Sequence, residues 1–321
     1  EVEGSRLTLR LATDGTVGPA GPAGFAAAGE GSGAMPAPAV PRRIAAVSLR
    51  RDVHGFYAAK DELFPERTSG LIFFENMMGI FFTGRDLTEE VFAELAGDVR
   101  LVVAEQEYDP AVGTPAVQAP GFAVVFRMKD PERFSRVAEE AWQKALGLVN
   151  FTRGQQAEPG LIIDRPVHAG VKYTTAYFAP PGEEDRSAID ARFNFRPSLA
   201  MPGEFLILSS TDQLAEDLID AVGKEAADAV GKEAADAAKP VRGVHSLVEI
   251  DGEQLASILA ANREALVRNN MVEEGNTREE AETAIDTLLA IAGHVGQVKL
   301  QVGTDHGQTS AVLAVKLDLP E

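Results

Sequence analysis

Leu7, Leu9 and Leu11 alternate with Arg6, Thr8 and Arg10 in the stretch SRLTLRLA at 5–12. This period of two predicts a half-buried strand, and it starts so near Glu1 that a partner strand reads as lost ahead of it. Apolar and β-branched runs predict further strands at 44–50, 99–105, 122–128, 171–178, 204–209, 244–251, 297–302 and 309–319. In the last of these, Leu313, Val315, Leu317 and Leu319 alternate inward. The preceding Thr304-Asp305-His306-Gly307 reads as a hairpin turn.

The period changes to that of a helix between these runs. A helix over 56–64 is stopped by Pro65. Asp86 and Glu89 form a capping pair for a helix over 87–96, with Gly97 placed to end it. Asp130 and Pro131 open a helix that carries Phe134, Val137, Ala138, Ala141, Ala145 and Leu148 on one face. Ser210 with Gln213 opens another, bearing Leu214, Leu218, Ile219 and Val222. Asp251 and Gln254 begin a long helix to about Val272. Thr277 and Glu280 form a capping box for 278–292, with Ala281, Ala284, Ile285, Leu288 and Leu289 facing inward.

The order strand, helix, capped helix, strand, strand thus occurs at 44–128 and again at 244–319. The expected fold class is α+β, with a largely antiparallel sheet and packed helices built from two related units. The expected divisions are a strand at 1–13, a Gly/Ala/Pro-rich linker at 14–41, an elaborated first unit at 42–240 and a compact second unit at 241–321, within one sheet or two. The octapeptide AVGKEAAD recurs unchanged at 221–228 and 229–236. Eight residues do not return a helix to the same face, so the repeat reads as an insertion lengthening an exposed helix.

Charge narrows the partners. The net charge of −19 repels phosphate backbones and anionic surfaces, which argues against nucleic acid. The basic concentration at Arg42, Arg43, Arg50 and Arg51 reads as solvated strand ends, or as an anion site. No stretch is long and apolar enough to span a bilayer. The absence of cysteine removes disulfides, thiolate nucleophiles and Cys-ligated metals. His54, His168, His245, His294 and His306 are too dispersed for metal-ligand spacing, although His54 and His245 flank matching strands of the two units. Ser32 lies in GEGSGA, which lacks the first glycine of a nucleophile elbow. Neither a dinucleotide fingerprint nor a Walker motif is present, and no cofactor is expected. Adjacent carboxylates such as Glu139-Glu140 point in different directions and read as solvated faces. Asn150-Phe151-Thr152 is a formal glycosylation sequon. FNFRP (193–197) and NFTRGQQ (150–156) combine aromatic, Asn and Arg groups of the kind that build loop sites.

The least generic stretch is SGLIFFENMMGIFFTGRD at 69–86. Its leading reading is two core strands, 71–74 and 79–83, joined by a short turn. Its functional reading is an adaptable apolar surface for a lipid-like ligand or a partner, with Phe73, Phe74, Met77, Met78, Phe81 and Phe82 as the binding residues.

The chain resembles a group of uncharacterised, predicted exported bacterial proteins carrying an envelope-associated domain of unknown function. The resemblance rests on AAVSLRRD, FTGRDLTEEVFAELAGDVRLVVA, PGFAVVFRMKDPERF, FLILSSTDQLAEDLIDA and NREALVRNNMVEEGNTREEAE, and covers roughly 40–319. It implies an extracytoplasmic setting and no catalytic residues. The expectation is a non-enzymatic extracytoplasmic protein with a protein partner or self-association. The alternatives are a carrier of an apolar ligand using 71–82 and a hydrolase with a dispersed acidic site.

Overall fold

The computed structural model describes residues 2–3, 5–16, 33–65, 69–182, 189–230, 239–305 and 308–318. In chain order the elements are β1 (Val2–Glu3), β2 (Arg6–Thr16), β3 (Gly33–Ala34), β4 (Arg43–Arg50), α1 (Val53–Ala58), α2 (Lys60–Leu63), α3 (Ser69–Phe81), β5 (Leu95–Ala104) and β6 (Gly121–Met128). There follow α4 (Pro131–Gln155), β7 (Ile162–Asp164), β8 (Val167–His168), β9 (Val171–Lys172), β10 (Thr174–Tyr177), β11 (Ser198–Ala200), β12 (Phe205–Ser209) and α5 (Asp212–Val230). The chain closes with β13 (Val241–Arg242), β14 (Val244–Asp251), α6 (Gly252–Ala261), α7 (Arg263–Glu274), α8 (Arg278–Gly293), β15 (Val295–Asp305) and β16 (Gln308–Leu317).

The fold is α+β. Its centre is a 12-stranded antiparallel sheet in the order β1-β2-β16-β15-β14-β4-β5-β6-β12-β11-β10-β7. β14 pairs with β15 on one side and with β4 on the other, so residues from both halves of the chain share one sheet. The two similar layouts take mirrored places about that β14–β4 pair. Because β4 and β14 are antiparallel, α1–α3 leave the sheet at one end of the strands and α6–α8 at the other.

Register assigns every side chain of the sheet to one of two faces. One face carries Ala46, Val102, Ala123, Val125 and Ile207 beneath α5, whose Leu214, Leu218, Ile219 and Val222 complete a buried cluster. Residues 33–41, read as linker, belong to this face in part. β3 pairs with β13, Ala34 and Pro38 are fully buried, and Val40 joins the α5 cluster. Small and apolar residues here fill space between elements rather than extending through solvent.

Several elements differ from expectation. Residues 71–82 form helix α3, not two strands. The deciding pattern is Leu71, Phe74, Met78 and Phe82, a stripe at helical spacing that packs on Tyr57, Phe92 and Phe134. No long helix occupies 87–96. Asp86 accepts from the Thr88 and Glu89 amides, a π-helical turn (Leu87–Val91) and a 3-10 turn (Phe92–Glu94) follow, and β5 begins at Leu95. Glu90, not Glu89, returns its carboxylate to the Asp86 amide. Gly97 lies within β5 and does not end a helix. A Cβ there would sit 2.8 Å from the Arg51 carbonyl oxygen, so glycine permits the close approach of the chains. The helix cap at α5 is one residue later than expected, with the Thr211 hydroxyl accepting from the Leu214 amide. The long helix after Asp251 breaks at Asn262, whose carboxamide accepts from the Gln118 amide at 2.8 Å and donates to the Gln118 and Ile258 carbonyls. The second AVGKEAAD copy falls largely outside the described residues, as does the His306-Gly307 end of the expected hairpin turn.

Candidate functional site

The second face of the sheet is built quite differently. The register places Leu9, Leu313, Leu300, Val248, Val47, Leu101, Val124 and Leu208 side by side in one row across eight strands. A parallel row holds Val302, Ser246, Leu49, Val99 and Phe126. Leu208 and Phe126 are roofed by α4 and its neighbours. Towards β2 the cover fails. Val47, Leu49, Val248, Leu300 and Leu313 are only half-buried. Leu101 is 37% exposed, Phe122 49% and Leu9 52%.

The two helix sets wall this open strip at its ends. On one side α6 presents Leu255, Ile258 and Leu259 across a groove of about 590 Å³ to Ile44, Val103, Val117 and Pro120. Val103 pairs with Phe122 and lies two residues from Leu101, so the groove meets the exposed row. The hydrogen bonds between Asn262 and Gln118 fix the groove's wall. On the other side Tyr57 of α1 and the inward residues of α3 pack with Leu95 and Met128. The result is an apolar trough running across the strands. Aliphatic alternation on β4, β5, β14, β15 and β16 forms its floor. Each of those strands had been predicted singly, but the trough needs their pairing order, which lies in long-range register.

The expected binding residues do not share one surface. Phe74, Met78 and Phe82 turn inward with Leu71 onto the α4 cluster. Phe73 points outward and is 68% exposed, beside exposed Ile72 and Ile80. Met77 and Phe81 are half-buried. No residue of α3 is fully buried, although this is the most apolar of the helices. Glu75 is held by the Tyr57 hydroxyl at 3.1 Å and lies 3.8 Å from the Lys60 ammonium.

Charged groups are mostly engaged with one another. Arg100 is 3% exposed and makes two 2.8 Å hydrogen bonds to the Glu225 carboxylate. Asp212 is raised above the ordinary carboxylate value by burial, opposed by Arg196 at 2.9 Å. Burial also raises Asp217, which faces Arg42 at 3.6 Å. Glu216 accepts from the Tyr173 hydroxyl at 2.6 Å, and Asp220 lies 3.0 Å from His168. Of the basic concentration around β4, Arg42, Arg43 and Arg50 pair with Glu107, Glu249 and Asp98. His54 faces Glu89, whereas His245 contacts Arg51 and Ser246; the two histidines have different partners.

The two aromatic–arginine motifs meet. Arg153 and Arg192 stack on Phe178, Arg192 also on Phe193, and Arg196 on Tyr177. Asn194 is buried and saturated: it accepts from the Tyr108 hydroxyl and the Ala119 amide and donates to the Val117 and Ala191 carbonyls. Burial pushes the Tyr108 phenol up to about 12. Asn150 bonds both backbone groups of Leu161. Both asparagines therefore hold loops in place. Among the described residues no group of three or more His, Asp or Glu is placed to hold a metal ion, and no helix is long and apolar enough to cross a membrane.

Comparison with protein-family models, with curated proteins and with solved structures gave no match.

Proposed function

We propose that this is a non-catalytic binding protein that accommodates an apolar ligand in the trough on the open sheet face. The observation that carries this reading is the row from Leu9 to Val124, which leaves contiguous aliphatic side chains half-exposed, while on β4, β5 and β6 the reverse face is closed. Contiguous apolar surface of this kind marks binding sites more often than it marks idle surface. The engaged carboxylates on α5 support a non-catalytic role, since acid–base chemistry needs groups free to exchange protons with a substrate. The resemblance to exported envelope proteins supports an extracytoplasmic setting.

Native mass spectrometry of the purified protein tests the reading. The expected result is uptake of a neutral long-chain alcohol, lost in Leu101→Asp. A chain that takes up no alcohol and carries no co-purifying apolar molecule would overturn it. A second reading, a protein partner docked on α3, is favoured by the outward stripe of Ile72, Phe73 and Ile80. It predicts a complex or self-association weakened by Phe73→Asp and indifferent to Leu101→Asp.

A further inference from the structure

Arg51 stands at the α1 end of the trough. Its guanidinium donates to the Ser246 hydroxyl at 2.7 Å and to the His245 and Arg50 carbonyls at 2.8 Å each. Ser246 pairs with Leu49 across the β14–β4 ladder, which puts the guanidinium beside the half-exposed apolar rows. Of the described arginines on or flanking β4, β5 and β6, Arg42, Arg43, Arg50, Arg100 and Arg127 each hold a carboxylate. Among the described residues Arg51 has none, in a chain of net charge −19. Every acceptor it meets is neutral, and desolvation is the cause that lowers its pKa. His245 is likewise lowered, first by burial and then by Arg51.

Space and a second cation adjoin it. Arg50, Arg51, Asp52, Gly97 and Lys129 line a pocket of about 290 Å³ at the strand ends. Lys129 donates to the Ala93 carbonyl and is paired with no carboxylate among the described residues. Asp52 is occupied as the cap of α1, accepting from the Gly55 amide at 2.9 Å, and Asp98 neutralises Arg50. The pocket therefore keeps a positive balance at the end of an aliphatic floor.

We infer that the trough binds a single-chain amphiphile with an anionic head, such as a fatty acid, seating the chain across the strands and the head against Arg51. This rests on the apolar-trough reading and adds the head-group chemistry. From Leu49 on β4, which pairs with Ser246 beside Arg51, to Leu313 on β16 the floor crosses three strand spacings, roughly 14 Å, which suits an extended acyl chain. The head would accept from the guanidinium in a charge-assisted bond, and removing such a bond costs roughly ten- to a hundredfold in affinity.

Equilibrium titration with dodecanoate and dodecanol, both below the concentration at which they self-assemble, tests the inference. The expected result is a preference for dodecanoate of roughly ten- to a hundredfold. Arg51→Met should erase the preference, and Arg51→Lys should restore part of it. The wild-type comparison needs no variant, so a misfolded Arg51→Met chain leaves the test intact. Equal affinity for the two ligands overturns the head-group assignment but not the trough. Binding that appears only once dodecanoate self-assembles overturns it in favour of a surface interaction. Failure of both ligands to bind removes the trough reading itself.

Discussion

Leu101 and Val102 are neighbours in β5 and have opposite fates. Val102 is 0% exposed beneath α5, and Leu101 is 37% exposed on the trough floor. The same contrast holds on β6, where Ala123 is closed and Phe122 open. The closed face mixes the small residues Ala46 and Ala123 with Val102, Val125 and Ile207, all buried beneath α5 and the 33–41 segment. The open face carries Val47, Leu49, Leu101, Val124 and Val248, which the described helices leave partly exposed. A sheet needing only stability would put its bulk where it is buried, since each fully buried large side chain contributes about 1.5–3 kcal/mol. Large apolar residues placed on the uncovered side point to a use for that side.

The largest effect should come from the closed face, at the ion pair of the buried Arg100. Glu225→Ala leaves the Arg100 guanidinium buried without its carboxylate partner and should cost about 3–5 kcal/mol in urea unfolding. Arg100→Met should cost less, because Glu225 lies at the wall of a cavity of about 210 Å³ and is reached by water. Equal losses would show that the closed face is less sealed than the buried arginine indicates. Leu218→Ala, at a fully buried site of α5, should cost about 2–5 kcal/mol. The matching truncation on the other face, Leu101→Ala, should cost no more than about 1 kcal/mol. A similar loss at both positions would mean that the trough is covered in solution.

Much of this architecture was legible because it is written in local signals. The strands at 44–50, 122–128 and 204–209 agree with β4, β6 and β12 to within a residue at every end. Asp130 caps α4, Asp251 caps α6, and the Thr277–Glu280 box is complete at α8. Helix α3 was missed because Phe and Ile favour strands, and the stripe from Leu71 to Phe82 competes with apolar residues on its other side. The Asn262 break was missed because its cause is Gln118, over a hundred residues away in sequence. The trough was out of reach for the same reason: alternation shows that Leu101 and Val248 each face one side of a strand, whereas only pairing through β4 shows that it is the same side. Arg51 stood out in the sequence with three other arginines. Its distinction from them, a missing carboxylate partner, is a property of the packed chain.

Leu101→Asp and Phe73→Asp separate the two exposed apolar regions. Each site is open enough that the fold should survive, with a loss of about 1 kcal/mol or less. Leu101→Asp places a carboxylate on the trough floor and should abolish alcohol uptake in native mass spectrometry. Phe73→Asp lies on the outer side of α3 and should leave that uptake intact. If Phe73→Asp removed uptake as well, the trough and the outer side of α3 would form one binding surface rather than two.

The smallest effect concerns how α3 is held on its own side of the sheet. Glu140 on α4 accepts from Lys144 at 2.8 Å, from the Thr83 hydroxyl at 2.7 Å and from Arg85 at 3.0 Å, and Thr83 and Arg85 follow α3 directly. These bonds, with Lys144 first, hold its carboxyl at about 2, against an ordinary value of 4.5. A depressed value means that the unfolded chain binds the proton more readily. The stabilisation is therefore complete above the ordinary value and is lost as pH falls towards about 2. The urea midpoints of wild type and Glu140→Gln should differ slightly at neutral pH and converge across that interval. Because the cluster is exposed, added salt should narrow the difference at neutral pH as well. A gap that persists at the acid end would assign the effect to the geometry of the α3–α4 junction rather than to the charge of Glu140.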